Sequence, residues 1–166
     1  MTRMSLCTAL CCVTAYISFP LPFTPGLVTA LTIALSLTAY LLPPKQTFIV
    51  VLLYVLIGAV GLPVFAGNSG IGKLLGPTGG FYFAWLIAYP LLSAFKGSSV
   101  NLKRYVLLNI FIAMPITYLG GLLSMLIVLH VSLYQALIMA VFPFIPGDIL
   151  KASFAAFLST KLAGKV

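Results

Sequence analysis

The sequence predicts an all-α integral membrane protein with six transmembrane helices, organised as one substrate-binding domain over residues 1–166. Its composition is the first reason, because hydrophobic residues make up 62% of the chain and charged residues only 6%. Water-soluble domains are about 45–50% apolar, so this chain has too little polar surface for an aqueous fold. The second reason is that the apolar residues fall into runs near the roughly 17–25 residues that a helix needs to cross a bilayer.

The expected spans follow one another along the chain. We predict spans at residues 4–19, 27–42, 46–62, 79–95 and 104–128, then a short helical piece near 131–142 and a sixth span near 147–163. The first is a span rather than a cleaved leader, because no small-residue cleavage site precedes Pro20. The second stops at Pro43 and Pro44, since proline interrupts helices. Pro143 and Pro146 divide the last region in the same way.

The three middle spans are supported by their apolar content. The third holds the run FIVVLLYVLIGAVGL, and the fourth begins directly after a glycine- and proline-rich stretch at residues 61–80. The fifth, LLNIFIAMPITYLGGLLSMLIVL, is long enough to cross the bilayer despite Pro115. The cysteines Cys7, Cys11 and Cys12 all lie in the first span, where their odd number indicates small apolar residues rather than a disulfide framework.

The charges indicate how the chain lies in the membrane. The net charge is +8, from nine basic residues and a single acid. An N-terminus in the cytoplasm places seven of the basic residues on the cytoplasmic side, as the positive-inside rule requires, and puts both termini there. These seven are Arg3, Lys45, Lys96, Lys103, Arg104, Lys161 and Lys165. The positive charge is therefore explained by topology, and we expect no nucleic acid as a partner. Lys73 and Lys151 do not fit the rule and become candidates for a binding site.

The stretch 61–80, GLPVFAGNSGIGKLLGPTGG, is the first place to look for a ligand. Irregular backbone at membrane depth survives only where it packs in protein or lines a cavity. Asn68 suits an amide or urea group, although it also suits a simple turn. Lys73 can neutralise an anionic ligand, or extend to the lipid headgroups. Tyr82 and Trp85 begin the next span, where they form either the aromatic wall of a site or an interfacial aromatic belt.

Asp148 is the only acidic side chain of the protein, and it follows Pro146 and Gly147 at a predicted helix start. Lys151 lies three residues later on the same helical face. One interpretation is an aspartate that caps the helix and pairs with this lysine. The other is a binding site, because an ionisable residue within a membrane span indicates function by default. In that case we expect Lys151, rather than Lys73, to hold an anionic group of the ligand, since Lys151 lies one turn from Asp148.

The sequence does not favour an enzyme. One acid and one histidine, His130, provide neither paired carboxylates nor a set of metal ligands. The glycines of residues 67–72, GNSGIG, are not flanked by the strands and helix of a nucleotide-binding unit. We therefore expect no catalytic residues, no metal and no cofactor.

Two motifs carry a family resemblance. The first is GLPVFAG followed by LLGPTGG within residues 61–80, and the second is PFIPGDILKA at residues 143–152. In sequence, order and span layout, the chain resembles the BioY family, the biotin-binding S components of energy-coupling-factor transporters. The resemblance implies a six-helix membrane bundle in a bacterial cell membrane that captures biotin at its outer face. It also implies partners, namely a transmembrane coupling protein and two cytoplasmic ATPases, and it points to Asn68, Tyr82, Asp148 and Lys151 as binding residues.

The chemistry of biotin agrees with these residues. Biotin has a urea head, an apolar sulfur-containing ring and a carboxylate tail. Asn68 and Asp148 suit the urea, Tyr82 or Trp85 the ring, and a lysine the carboxylate. Two alternatives remain open from the sequence: an S component for another vitamin, and a membrane-embedded enzyme.

Overall fold

The computed structural model describes residues 1–66 and 68–162, and most of these residues are helical. The helices are α1 (Thr2–Thr14), α2 (Leu31–Leu41), α3 (Pro44–Ala59), α4 (Ile71–Leu74), α5 (Gly79–Phe95), α6 (Leu102–Leu108), α7 (Met114–Leu129), α8 (Leu133–Ala140) and α9 (Ile145–Leu162). A π-helical turn, Asn109–Ala113, joins α6 to α7. The main apolar core lies between α1, α2, α3 and α5, with the inner faces of α6 and α9 against it.

The helices differ in their capacity to cross a membrane alone. Within the described residues, the continuous helix Leu102–Leu129 has 28 residues and is long and apolar enough by itself. The pair Leu133–Ala140 and Ile145–Leu162 passes the same criterion together, with a bend of 41° between the two helices. Four further apolar helices, α1, α2, α3 and α5, have between 10 and 17 residues. The number of six spans therefore stays a prediction, and the basic Lys165 and the end of the last span at 163 lie outside the described residues.

A short β-hairpin replaces helix where the sequence predicted it. Strand β1 (Ser18–Pro20) pairs antiparallel with β2 (Leu27–Thr29), with Ser18 opposite Thr29. The predicted helical spans 4–19 and 27–42 were therefore wrong at these two ends. Pro20, Pro22 and Pro25 favour extended backbone. The apolar residues of β2 continue directly into those of α2, so that hydrophobicity alone did not separate strand from helix.

The π-helical turn lies two residues before Pro115. Proline has no N–H to donate, and its ring clashes with the carbonyl four residues earlier in a regular α-helix. A π-turn supplies the extra residue that lets a membrane helix continue past such a point. In this turn, the Asn109 side chain is buried and donates to the Ser36 hydroxyl at 2.7 Å and to the Tyr40 hydroxyl at 3.2 Å. The irregular turn is thus held against α2 by hydrogen bonds.

Two glycines bring α5 and α7 into backbone contact. A Cβ atom added to Gly80 would collide with the carbonyl oxygen of Gly120, and one added to Gly120 would collide with that of Gly80. Small residues of this kind let membrane helices approach closely, where van der Waals packing replaces the hydrophobic effect. The contact fixes α5 and α7 side by side.

Lys96 holds the other end of the bundle. Its ammonium donates to the carbonyl oxygens of Ala39 and Tyr40 at 2.9 Å and of Leu42 at 2.6 Å. These carbonyls lie at the C-terminal end of α2, where the helix leaves acceptors unpaired and its dipole favours a cation. Lys96, which the sequence analysis used only for topology, therefore also ties α2 to the end of α5.

The glycine contact can be tested with Gly120→Ala. Alanine is favoured over glycine in a helix by about 1 kcal/mol, so propensity alone predicts a gain in stability. We expect a lower apparent melting temperature in detergent instead, because overpacking costs about 1–3 kcal/mol. The control is Gly72→Ala in α4, where an added Cβ meets nothing within 4 Å and the stability should not fall. A Gly120→Ala variant as stable as the parent would show that α5 and α7 can separate freely.

Candidate ligand-binding site

A cavity opens between α2, α3, α5, α7 and α9, with α4 and β2 at its edge. Its volume is about 670 Å³ when the part open to solvent is included. Five of the six predicted site residues line it: Lys73, Tyr82, Trp85, Asp148 and Lys151. Residues far apart in the sequence are thus brought to one site, as the interpretation in terms of a ligand requires.

Aromatic side chains form one wall of the cavity. Tyr82 and Trp85 are each only 7% exposed, and their rings meet edge to face with centroids 4.9 Å apart. Phe65 backs Tyr82 with a centroid distance of 4.4 Å, and Tyr54 lies beside Trp85 at 6.5 Å. These rings are buried inside the protein. The interpretation as an interfacial aromatic belt is therefore disfavoured, and a rigid apolar surface for a ligand is favoured.

The carboxylate of Asp148 is held by two donors. Lys151 donates to Oδ1 at 2.8 Å, and the Tyr118 hydroxyl donates to Oδ2 at 2.8 Å. The side chains of Lys151 and Asp148 are only 16% and 14% exposed. Helix α9 begins at Ile145, so Asp148 lies within the first turn and not at the cap. In the first turn, its negative charge interacts favourably with the positive end of the helix dipole. The capping part of that interpretation is therefore not supported, whereas its ion pair with Lys151 is present.

The two lysines of the cavity differ in their surroundings. Lys151 is already paired with the only acid of the chain. Lys73, half-buried in α4, has no acidic partner among the residues that the structure describes. Burial lowers the pKa of the Lys73 ammonium, since a charge loses hydration without gaining a counter-charge. This arrangement favours Lys73, and not Lys151 as expected from the sequence, as the partner of an anionic group.

Asn68 is placed differently from the other predicted residues. Its side chain is exposed, and it is absent from the residues that line the cavity within the described chain. Its backbone N–H donates to the carbonyl of Phe65 at 3.2 Å, and the Phe65 N–H donates back at 2.9 Å. The turn-forming interpretation therefore describes its backbone, whereas its predicted contact with a ligand stays untested.

The cavity residues that were missed from the sequence include Thr32, Thr117 and Tyr118. Each lies within an apolar run, where hydroxyl side chains are common and usually bond to their own helix. Only Asp148 gave an indirect signal for Tyr118, because a partly buried carboxylate needs more than one hydrogen-bond donor. The structure holds no cluster of side chains fit to bind a metal ion among the described residues.

A model of the BioY family matches residues 1–166. The chain belongs to the BioY family. Among curated BioY relatives, a probable biotin transporter BioY of Bacillus subtilis is 33% identical, over 98% of this chain and 89% of the relative. A probable biotin transporter BioY of Pyrococcus horikoshii is 38% identical over 77% of this chain and 75% of the relative.

A solved structure supports the same BioY assignment. The crystal structure of the S component for biotin from an ECF-type ABC transporter matches with a TM-score of 0.91 at 25% identity. The match covers 98% of this chain and 89% of that one. The resemblance stated from the sequence motifs and the helical membrane fold are thereby confirmed.

The ion pair predicts an asymmetry between single and double variants. Lys151→Met leaves the Asp148 carboxylate without its cation, and breaking a buried pair in this way costs up to about 3–5 kcal/mol. We expect a lower apparent melting temperature, with a smaller loss than that range because both side chains keep some exposure. Adding Asp148→Asn should recover most of the loss, since no uncompensated charge then remains.

The matched control is Lys161→Met, on the same helix but exposed, which should leave the melting temperature unchanged. A double variant as unstable as Lys151→Met would mean that the packing of the lysine stem, and not its charge, supports the site.

Proposed function

We propose that this protein is the membrane-embedded biotin-binding subunit of an energy-coupling-factor transporter. It captures biotin from outside the cell and presents it for uptake, rather than transforming it chemically. The observation that carries this proposal is the cavity itself, in which one aspartate, an aromatic wall and a lysine with no acidic partner among the described residues lie together within a BioY fold. Two lysines and one aspartate give this cavity a net positive charge, which suits a ligand with a carboxylate.

The binding mode follows from the chemistry of the lining. The Asp148 carboxylate has lone pairs beyond the two that Lys151 and Tyr118 occupy, and these accept one urea N–H group of biotin. The apolar ring packs against Tyr82 and Trp85. The tail carboxylate pairs with the Lys73 ammonium and supplies a counter-charge that offsets the hydration lost on burial. Asn68 takes no part in this arrangement as the structure stands.

Transport requires partners that this chain does not provide. We propose a transmembrane coupling protein and two cytoplasmic ATPases, which supply the energy for moving the loaded subunit. The chain lies in the bacterial plasma membrane with both termini in the cytoplasm. The distribution of Lys and Arg supports this orientation.

Binding of labelled biotin to the purified protein in detergent is the direct test. We expect saturable binding at one site, with unlabelled biotin as an effective competitor and thiamine or riboflavin as poor ones. If another vitamin competed more strongly than biotin, that vitamin would be the substrate and the protein would still be a transport subunit. Release of a chemically altered ligand, detected by mass spectrometry, would support the membrane-enzyme alternative instead.

Asp148→Asn separates binding from folding. The amide keeps the shape of the carboxylate but cannot match its strength as an acceptor for urea N–H groups. A hydrogen bond to a charged group contributes about 1.5–3 kcal/mol, so biotin binding should weaken about tenfold or more. Because Asp148→Asn leaves the Lys151 ammonium without a counter-charge, the Asp148→Asn/Lys151→Met variant serves as the stability-matched comparison. Unchanged affinity in both variants would remove Asp148 from the binding site.

The pairing of Lys73 with the ligand carboxylate can be tested by comparing a charged ligand with an uncharged one. The parent protein should prefer biotin over its uncharged methyl ester, and Lys73→Met should erase that preference while leaving binding of the ester nearly unchanged. Lys151→Met should keep the preference. If Lys151→Met erased the preference and Lys73→Met kept it, Lys151 would be the partner of the ligand carboxylate, as the sequence suggested.

The pH dependence checks the same assignment. Because the pKa of Lys73 is lowered, its ammonium loses the proton at a lower pH than an exposed lysine does. Biotin affinity should therefore fall as the pH rises through that pKa, because a neutral amine no longer pairs with the carboxylate. The affinity for the methyl ester should stay nearly constant over the same range.

A further inference from the structure

Three buried polar atoms have no hydrogen-bond partner among the described residues, and they are not scattered over the protein. They are Thr32 Oγ1, Trp85 Nε1 and Thr117 Oγ1. All three residues line the cavity described above. Since buried polar groups are nearly always paired, such a concentration at one place indicates atoms that a ligand completes.

The two threonines differ from other hydroxyl residues of the bundle. Thr8 donates to the carbonyl of Met4 at 3.0 Å, and Thr38 donates to that of Ala34 at 2.8 Å, each one turn back along its own helix. This back-bonding is the usual way in which membrane helices satisfy hydroxyl groups. The hydroxyls of Thr32 and Thr117 make no such bond.

Both threonines lie shortly after an interruption of a helix. Thr32 is the second residue of α2, so the residue four positions earlier lies in strand β2 and not in a helical turn. Thr117 follows the π-helical turn, whose last residue, Ala113, stands four positions before it. Neither hydroxyl bonds to a preceding carbonyl, and both residues line the cavity.

A second, smaller cavity shows more precisely where these two threonines lie. It adjoins the first, and both are lined by Thr32, Thr117, Tyr118, Asp148 and Lys151. The smaller cavity continues toward Ser36, Tyr89 and Asn109. The threonines thus lie on the polar boundary between the two cavities, beside the carboxylate of Asp148, while Lys73 lines only the larger one.

The donor and acceptor capacity of the three groups specifies what they bind. The indole N–H of Trp85 can only donate, and the threonine hydroxyls can donate as well as accept. Asp148 can only accept, so it takes one N–H group of a urea and leaves the urea oxygen without a partner. We propose that Trp85 and Thr117, supported by Thr32, donate hydrogen bonds to the carbonyl oxygen of the ligand's urea. This assignment rests on the proposed function, and it makes Trp85 a polar contact as well as part of the aromatic wall.

The consequence is selectivity for the atom at the urea carbonyl. A site with unpaired donors rejects an analogue that lacks the matching acceptor, because the donors then stay buried without partners. The probe is 2-thiobiotin, which keeps both N–H groups, the ring and the carboxylate but replaces the carbonyl oxygen by sulfur, a weak acceptor. The parent protein should bind biotin about tenfold or more tightly than this thiourea.

The experiment compares dissociation constants for both ligands in Thr117→Val and Trp85→Phe. Each variant should weaken biotin binding about tenfold and bring the ratio of the two dissociation constants closer to one. The matched control is Thr8→Val, because Thr8 and Thr117 are both 7% exposed and only Thr117 lines the cavity. The control should leave both constants unchanged.

The outcomes separate this inference from the proposed function. A ratio that stays at the parent value in Thr117→Val and Trp85→Phe overturns the donor assignment while biotin remains the ligand. If Trp85→Phe fails to fold, the ratio in Thr117→Val and in Thr32→Val decides. Absence of biotin binding by the parent protein contradicts the proposed function itself.

Discussion

The hydrogen bonds to the Asp148 carboxylate are the constraint on which the rest of the site depends. Asp148 is the only acid of the chain, and it is partly buried among apolar helices. Lys151 and Tyr118 each bind one of its oxygens, which keeps the charge tolerable and ties α9 to α7. Because the only acid is paired with Lys151, Lys73 has no counter-charge in the described chain. The cavity therefore has more positive than negative charge.

The polar groups of the cavity share a structural origin. Thr32 follows the β-hairpin, Lys73 lies in the short helix of the glycine-rich stretch, Thr117 follows the π-helical turn, and Asp148 lies in the first turn of α9. A regular membrane helix pairs its backbone polar groups internally. These four polar side chains of the cavity thus lie at or beside interruptions of the helices, and Tyr118 adds a fifth from α7.

The sequence predicted the parts of this design that depend on composition or on rare residues. Helical spans, the break at 61–80 and Asp148 stand out because proline, glycine and acids are conspicuous in an apolar chain. Tyr118 does not stand out, since it is one of eight tyrosines and lies 30 positions from its partner. The choice between Lys73 and Lys151 required the geometry of the ion pair, and the β-hairpin was hidden because its residues are as apolar as the helix that follows.

The backbone contact between Gly80 and Gly120 acts on the cavity from a distance. Tyr82 and Trp85 project from α5, and Thr117 and Tyr118 from α7, each within one or two turns of these glycines. The two glycines therefore set the distance between α5 and α7, and with it the width of the cavity that these helices line. A larger residue at either glycine would move the two helices apart and widen the cavity, while every side chain that lines it stayed the same.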